Sequence, residues 1–228
     1  MIRIDPARAI DLSQPIRHDG PAWADYDPPT ITHEYRLAAE GFNAETVRMN
    51  THTGTHVDVP YHFDDAGETV DQRPLPAFAA PAVFIDLRDR VAAGQAITPE
   101  HLEADLPRIR RGDFAVLVTG WGERRGLTED YLKRWPYLGG AAAEALVERG
   151  VAGVGIDALS IGGWGGPEKG EPSHLALLGA DVLIIEELRI PEAVLTGERF
   201  FLTAFPVLLE GCGGAWTRAV AWPLDEDG

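Results

Sequence analysis

The stretch Met49–His62, MNTHTGTHVDVPYH, places His52, His56, Asp58 and His62 at even separations from one another. Side chains of an extended strand alternate between its two faces, so even spacing sends all four to one side. A helix would rotate Asp58 far from His52, and Gly54 and Pro60 would weaken it further. The spacing therefore predicts an extended segment over 49–62. Within it, His52, His56 and Asp58 offer two imidazoles and a carboxylate to a divalent ion, with coordination positions left for water or another ligand. An open donor set of this kind suits catalysis, because structural zinc sites are usually closed by cysteines and the chain has only Cys212. Any single histidine is most simply a polar residue of an exposed strand. Three of the seven histidines gathered beside an Asp, between Gly54 and Pro60, are not explained that way. His62, past the stiffening Pro60, is placed near the ion without having to bind it. An imidazole with a pKa near 6.5 is suited to moving a proton there, and a further ligand is the alternative.

A chain of 228 residues that is 45% hydrophobic can bury a sizeable core, and its Pro and Gly are scattered as turn punctuation rather than gathered in a hinge. One domain over residues 1–228 follows. The formal net charge of −16 argues against nucleic-acid and anionic-membrane partners, since both rely on clustered Lys and Arg. No apolar run approaches the length of a membrane helix. The first residues carry no signal-like apolar stretch, and a lone cysteine permits no intrachain disulfide, so a cytoplasmic setting is expected.

Ala9–Leu12 reads as a first strand, Ala44–Asn50 as a half-buried strand, and Ala82–Leu87, Phe114–Thr119, Val151–Ile156 and Val182–Ile185 as buried strands. Helices are predicted from the Thr98-Pro99 start through Leu106, from Thr128 to about Trp135, and over Ala141–Arg149. Strands alternating with helices after residue 82 indicate an α/β fold, and the strand-rich ends indicate a mixed, curved or barrel-like sheet with outer helices. Trp23, in a Pro-rich loop, reads from sequence as an aromatic packed on the core edge, with a binding wall as the alternative. Asp64, Asp65 and Glu68 read as solvated loop carboxylates. His174, taken alone at the start of a short helix, reads as a capping or surface residue. Glu186 ends an apolar strand, where a buried carboxylate needs a partner.

The segment HTGTHVDVPYH matches H-x-G-T-H-x-D-x-P-x-H and is similar to the signature of the metal-dependent cyclase-like hydrolases, the family of bacterial kynurenine formamidases and isatin hydrolases. The likeness extends to TGW at 119–121, to GIDALSIG, which resembles G-I-D-x-x-S-I-D with Gly162 at the last Asp, and to AWTRAVAW near the end. It implies a swivelling β/β/α fold and a centre of one or two divalent ions, with zinc expected and manganese an alternative. His52, His56 and Asp58 would hold one ion, and His174 and Glu186, twelve positions apart as in the family, would hold the other with Asp58 shared. Glu187 is expected to face away. Trp23, Trp121 and Ser160 would contact the substrate, although Ala24 stands where many relatives have Pro. The implied activity is hydrolysis of a C–N bond in a small aryl formamide of the N-formylkynurenine type or in an isatin-like lactam, with His62 as general acid and base. Cyclase, dehydratase or lactonase chemistry and a non-catalytic metal-binding role are the alternatives. Relatives imply a homodimer or homotetramer.

Overall fold

The computed structural model describes residues 4–224. Its central strands are apolar on both faces because each face meets a separate core. Val83, Ile85, Ala115, Leu117, Val154, Ile156 and Ile184 enter one core, while their neighbours Ala82, Phe84, Phe114, Val116, Leu183 and Ile185 enter the other. Alternate side chains of a strand leave on opposite faces, and a parallel sheet is stable only where both are covered.

Ala79–Asp86, Phe114–Val118, Gly153–Ile156 and Leu183–Glu186 form that parallel centre. Antiparallel strands complete a nine-stranded sheet: Phe200–Thr203, Val220–Pro223 and Ile10–Asp11 on one side, His56–Asp58 and Gly214–Trp216 on the other. The mixed sheet curls into a half-barrel. Two helices, Gly140–Arg149 and Pro167–Gly179, pack against each other over one core through Leu146, Leu177 and Leu178. Among the described residues, no helix is long and apolar enough to cross a membrane.

Several sequence-based expectations are corrected. The strand predicted over 44–50 is Ala44–Arg48, and it pairs only with Thr30–Tyr35 in a two-stranded ribbon apart from the large sheet. Among the described residues nothing covers it, so Val47 is 48% exposed rather than half-buried. The helix predicted through Leu106 stops at Leu102, ahead of a separate turn Leu106–Arg108; Pro107 lacks the N–H that a continuing helix would use. Thr128 does cap a helix, Glu129–Lys133, through the N–H of Tyr131. The segment 49–62 is extended only at His56–Asp58. Before it the chain turns at Gly54, with φ of 75°, and after it Pro60 opens a 3-10 turn, Pro60–His62.

Candidate metal centre

The strand His56–Asp58 lies between Leu183–Glu186 and Gly214–Trp216. Its register sets His56 directly opposite Glu186, so both side chains leave the sheet on one face, and Asp58, two residues on, joins them. His56 and Asp58 are fully buried and Glu186 nearly so. The Nε2 of His56 lies 3.3 Å from Asp58 Oδ1 and 3.4 Å from Glu186 Oε2.

The remaining donors come from outside the sheet. His52 precedes the Gly54 turn and donates Nδ1–H to Asp58 Oδ1 at 2.7 Å. A Cβ at 54 would run into the Ile16 side chain, so the turn needs glycine for space as well as for its positive φ. His62, from the turn after the strand, stacks on His52 with ring centres 3.9 Å apart. His174 lies in the middle of the helix Pro167–Gly179 and not at the start of a short one, because Pro167 opens the helix about two turns earlier. Its Nε2 is 3.3 Å from Glu186 Oε1 and 4.0 Å from Asp58 Oδ2. Two overlapping donor sets result, His52–His56–Asp58 and Asp58–His62–His174, each with its atoms within 4.8 Å of one another. Asp58 is common to both. His62 is thus closer to ligand distance than the sequence alone required.

Backbone carbonyls orient the imidazoles. His56 Nδ1 donates to Gly54 O and His174 Nδ1 to Gly170 O, both at 2.7 Å. Each bond turns Nε2 toward the carboxylates, the arrangement that prepares a histidine for a metal once that nitrogen is deprotonated. Glu186 is held by Ser160 Oγ at 3.0 Å and by the Ile161 N–H at 2.6 Å. Burial works against a charged His56, yet Asp58 and Glu186 raise its pKa well above the ordinary value. Burial likewise opposes ionisation of Asp58 and Glu186, but the surrounding imidazoles hold Asp58 well below the carboxylate range and Glu186 down at about 2. His174 is raised: burial opposes this, and its bond to Glu186 prevails. Burial, opposed by Asp58 and reinforced by His52 and His174, pushes His62 down to about 4.

These residues fit a divalent cation. His56 Nε2 and Asp58 Oδ2 are buried without a hydrogen-bond partner, although buried polar atoms are ordinarily satisfied. Two buried carboxylates lie side by side, an arrangement that costs free energy unless positive charge lies between them. Imidazoles and carboxylates are the donors zinc prefers, and the oxygen share also admits manganese.

The centre opens into a cavity of about 620 Å³ walled by Trp23, Tyr26, Phe63, Leu159 and Trp164, with His52, His62, His174 and Glu186 at its base. Trp23 packs on Trp164 at 5.0 Å and edge-on against Trp135 at 5.6 Å, so it is both packed and part of the wall. Ser160 borders the cavity, but its hydroxyl proton is spent on Glu186. Trp121 is not in the wall: its ring is buried in the helix-side core and its N–H donates to Tyr131 O at 3.1 Å. The TGW match reflects the turn around Asp157, which accepts from the N–H groups of Thr119 and Gly120. Gly162 has a steric reason, since a Cβ there would strike the Gly170 carbonyl. Glu68, one of the loop carboxylates, pairs with Arg73 at 3.1 Å. Sequence reasoning missed Phe63, stacked on His174 at 4.6 Å, and Trp164. A lone aromatic inside the run GGWGG was the signal for the latter.

The chain matches the model of the Cyclase family over residues 10–162, a span that ends before His174 and Glu186. Kynurenine formamidase of Geobacillus thermodenitrificans (strain NG80-2) is 31% identical over 92% of this chain and 95% of that protein. Kynurenine formamidase of Bacillus thuringiensis (strain Al Hakam) is 28% identical over 94% and 97%. Among solved structures, isatin hydrolase A from Labrenzia aggregata bound to benzyl benzoate superposes with a TM-score of 0.84 at 26% identity, covering 94% of this chain and 93% of that one.

Proposed function

The chain belongs to the Cyclase family, and on that premise we propose that it is a metal-dependent hydrolase of C–N amide bonds whose preferred substrate is an N-formyl aryl amine of the formylkynurenine kind, with an isatin-like lactam next. The observation that carries the reading is the convergence of His52, His56, Asp58, His174 and Glu186 at the base of an aromatic cavity, with His56 Nε2 and Asp58 Oδ2 otherwise unsatisfied. Relatives named kynurenine formamidase and isatin hydrolase A support the substrate class.

A divalent ion held by these five side chains would supply Lewis acidity, polarising the amide carbonyl and bringing the pKa of water down toward about 7. His62, kept neutral by burial and by its imidazole neighbours, has a lone pair to take a proton from the attacking water and return it to the leaving nitrogen. It faces the cavity while stacked on His52, with the edge of its ring against Phe63 at 4.7 Å. Trp23, Phe63 and Trp164 line the cavity with aromatic surface that suits an aryl group. The cavity's volume is in the range of small-molecule sites. Self-association as a dimer or tetramer would cover the ribbon's exposed Tyr35, Phe42 and Val47.

Tag-free protein loaded with zinc or manganese, assayed on N-formylkynurenine and on isatin with product masses recorded, tests the reading. Addition of one water per turnover is expected, faster on the formamide. Loss of water would replace hydrolysis with dehydration, and inactivity across formamides, lactams and lactones would leave a binding protein.

A further inference from the structure

Glu187 is a buried carboxylate beside the metal centre that the centre does not use. It directly follows Glu186, but at φ of 51° the chain leaves the strand through the left-handed region, which side chains other than glycine rarely adopt. Its carboxylate turns under the loop that precedes His56. There Oε2 accepts the Gly54 N–H at 2.5 Å, and Oε1 accepts the Tyr131 hydroxyl at 2.9 Å and Arg125 Nε at 3.2 Å. The carbonyl of Glu187 accepts the Thr55 hydroxyl at 2.7 Å. Glu187 is 2% exposed and the Arg125 side chain 9%. A strained backbone and a buried ion pair at one residue are retained only where the surroundings require them.

What they hold is the turn that aims the ligands. Gly54, whose N–H is tied to Glu187, is also the residue whose carbonyl orients His56 through Nδ1. The turn lies between His52 and His56, so its position sets the separation of two donors. An apolar side chain at 187 would leave the Gly54 N–H and the Tyr131 hydroxyl buried without this acceptor.

We propose that Glu187, with Arg125 and Tyr131, is a positioning residue of the metal centre: it locks the Thr53–Thr55 turn and thereby sets how tightly His52 and His56 hold the ion. This rests on the reading of the cluster as a metal site. Adjacent glutamates then divide the work, Glu186 facing the ion and Glu187 fixing the backbone that carries the opposite ligands.

The test is zinc affinity, measured by competition with a chromogenic chelator on metal-stripped, tag-free protein, together with circular dichroism and Tm. Glu187→Ala is expected to weaken zinc binding by about 10- to 100-fold, the usual effect of removing a group that orients a ligand. Glu187→Gln keeps an acceptor for Gly54 and is expected to recover most of that loss. A merely structural role would lower Tm while leaving the folded protein's affinity alone, so a folded Glu187→Ala within about 2-fold of the parent overturns the proposal. Should that variant not fold, Tyr131→Phe decides, because it deletes one hydrogen bond to Glu187 and keeps the ring: weakening of about 3- to 5-fold supports the proposal and unchanged affinity overturns it. A parent protein that binds no zinc removes the metal centre itself, and the positioning role with it. A parent that binds zinc beside an indifferent variant removes only the role of Glu187.

Discussion

His56, Asp58 and Glu186 stand on hydrogen-bonded neighbouring strands in full burial, whereas His52, His62 and His174 reach the same point from two turns and a helix. The strand-borne group is set by register: a slip of one residue would send His56 and Asp58 to the other face of the sheet. The peripheral group is set by individual contacts, namely Asn50 Oδ1 accepting the His52 N–H at 2.8 Å, Phe63 stacked on His174, and Gly170 O on His174 Nδ1. The three peripheral imidazoles border the cavity together with Glu186; His56 and Asp58 do not. The contrast teaches that the buried floor of the centre and the imidazoles open to a substrate rest on different supports. The sheet buries an imidazole and two carboxylates at the floor of the centre, and the looser elements bring His52 and His174 to the same donor sets and present groups that a substrate can touch.

The largest effect should come from the strand group. Asp58→Asn keeps the shape but removes the charge common to both donor sets, so bound metal should vanish from elemental analysis and turnover should fall at least about a thousandfold. Retained metal would erase the distinction between the two groups. His62→Ala should cut turnover by roughly two to four orders of magnitude with metal content intact. Metal lost with it would make His62 a further ligand, as its closeness to Asp58 and His174 allows. Trp164→Ala should raise KM on the order of tenfold and leave metal and kcat nearly unchanged, as for a contact made equally in ground and transition states. Smallest of all, Trp121→Phe should spare metal, KM and kcat and lower stability by about 1 kcal/mol through the lost bond to Tyr131 O, read as a modest fall in Tm.

How much of this was legible follows the same divide. The parallel centre could be read because its strands are short, doubly apolar runs, and Glu186 because a carboxylate ending such a run needs a partner. His56 and Asp58 obeyed the alternation argument. His52 and His62 share the even spacing yet arrive by turns, since Gly54 and Pro60 break the strand on either side. Their convergence was anticipated for a reason only partly right. His174 was legible only through resemblance, because no periodicity ties a mid-helix histidine to a distant strand. Trp121 went astray because a motif match carries a residue's identity but not its direction. Glu187 was passed over because alternation says only that it faces away from Glu186, and the left-handed turn that gives it partners leaves no pattern in the sequence.

The central claim is that this cluster of side chains binds a divalent ion. Calorimetric titration of zinc into metal-stripped, tag-free protein tests it most directly. Saturable uptake of one or two equivalents, abolished in Asp58→Asn, is the expected result. Absence of saturable binding, or binding that survives loss of Asp58 undiminished, would contradict it.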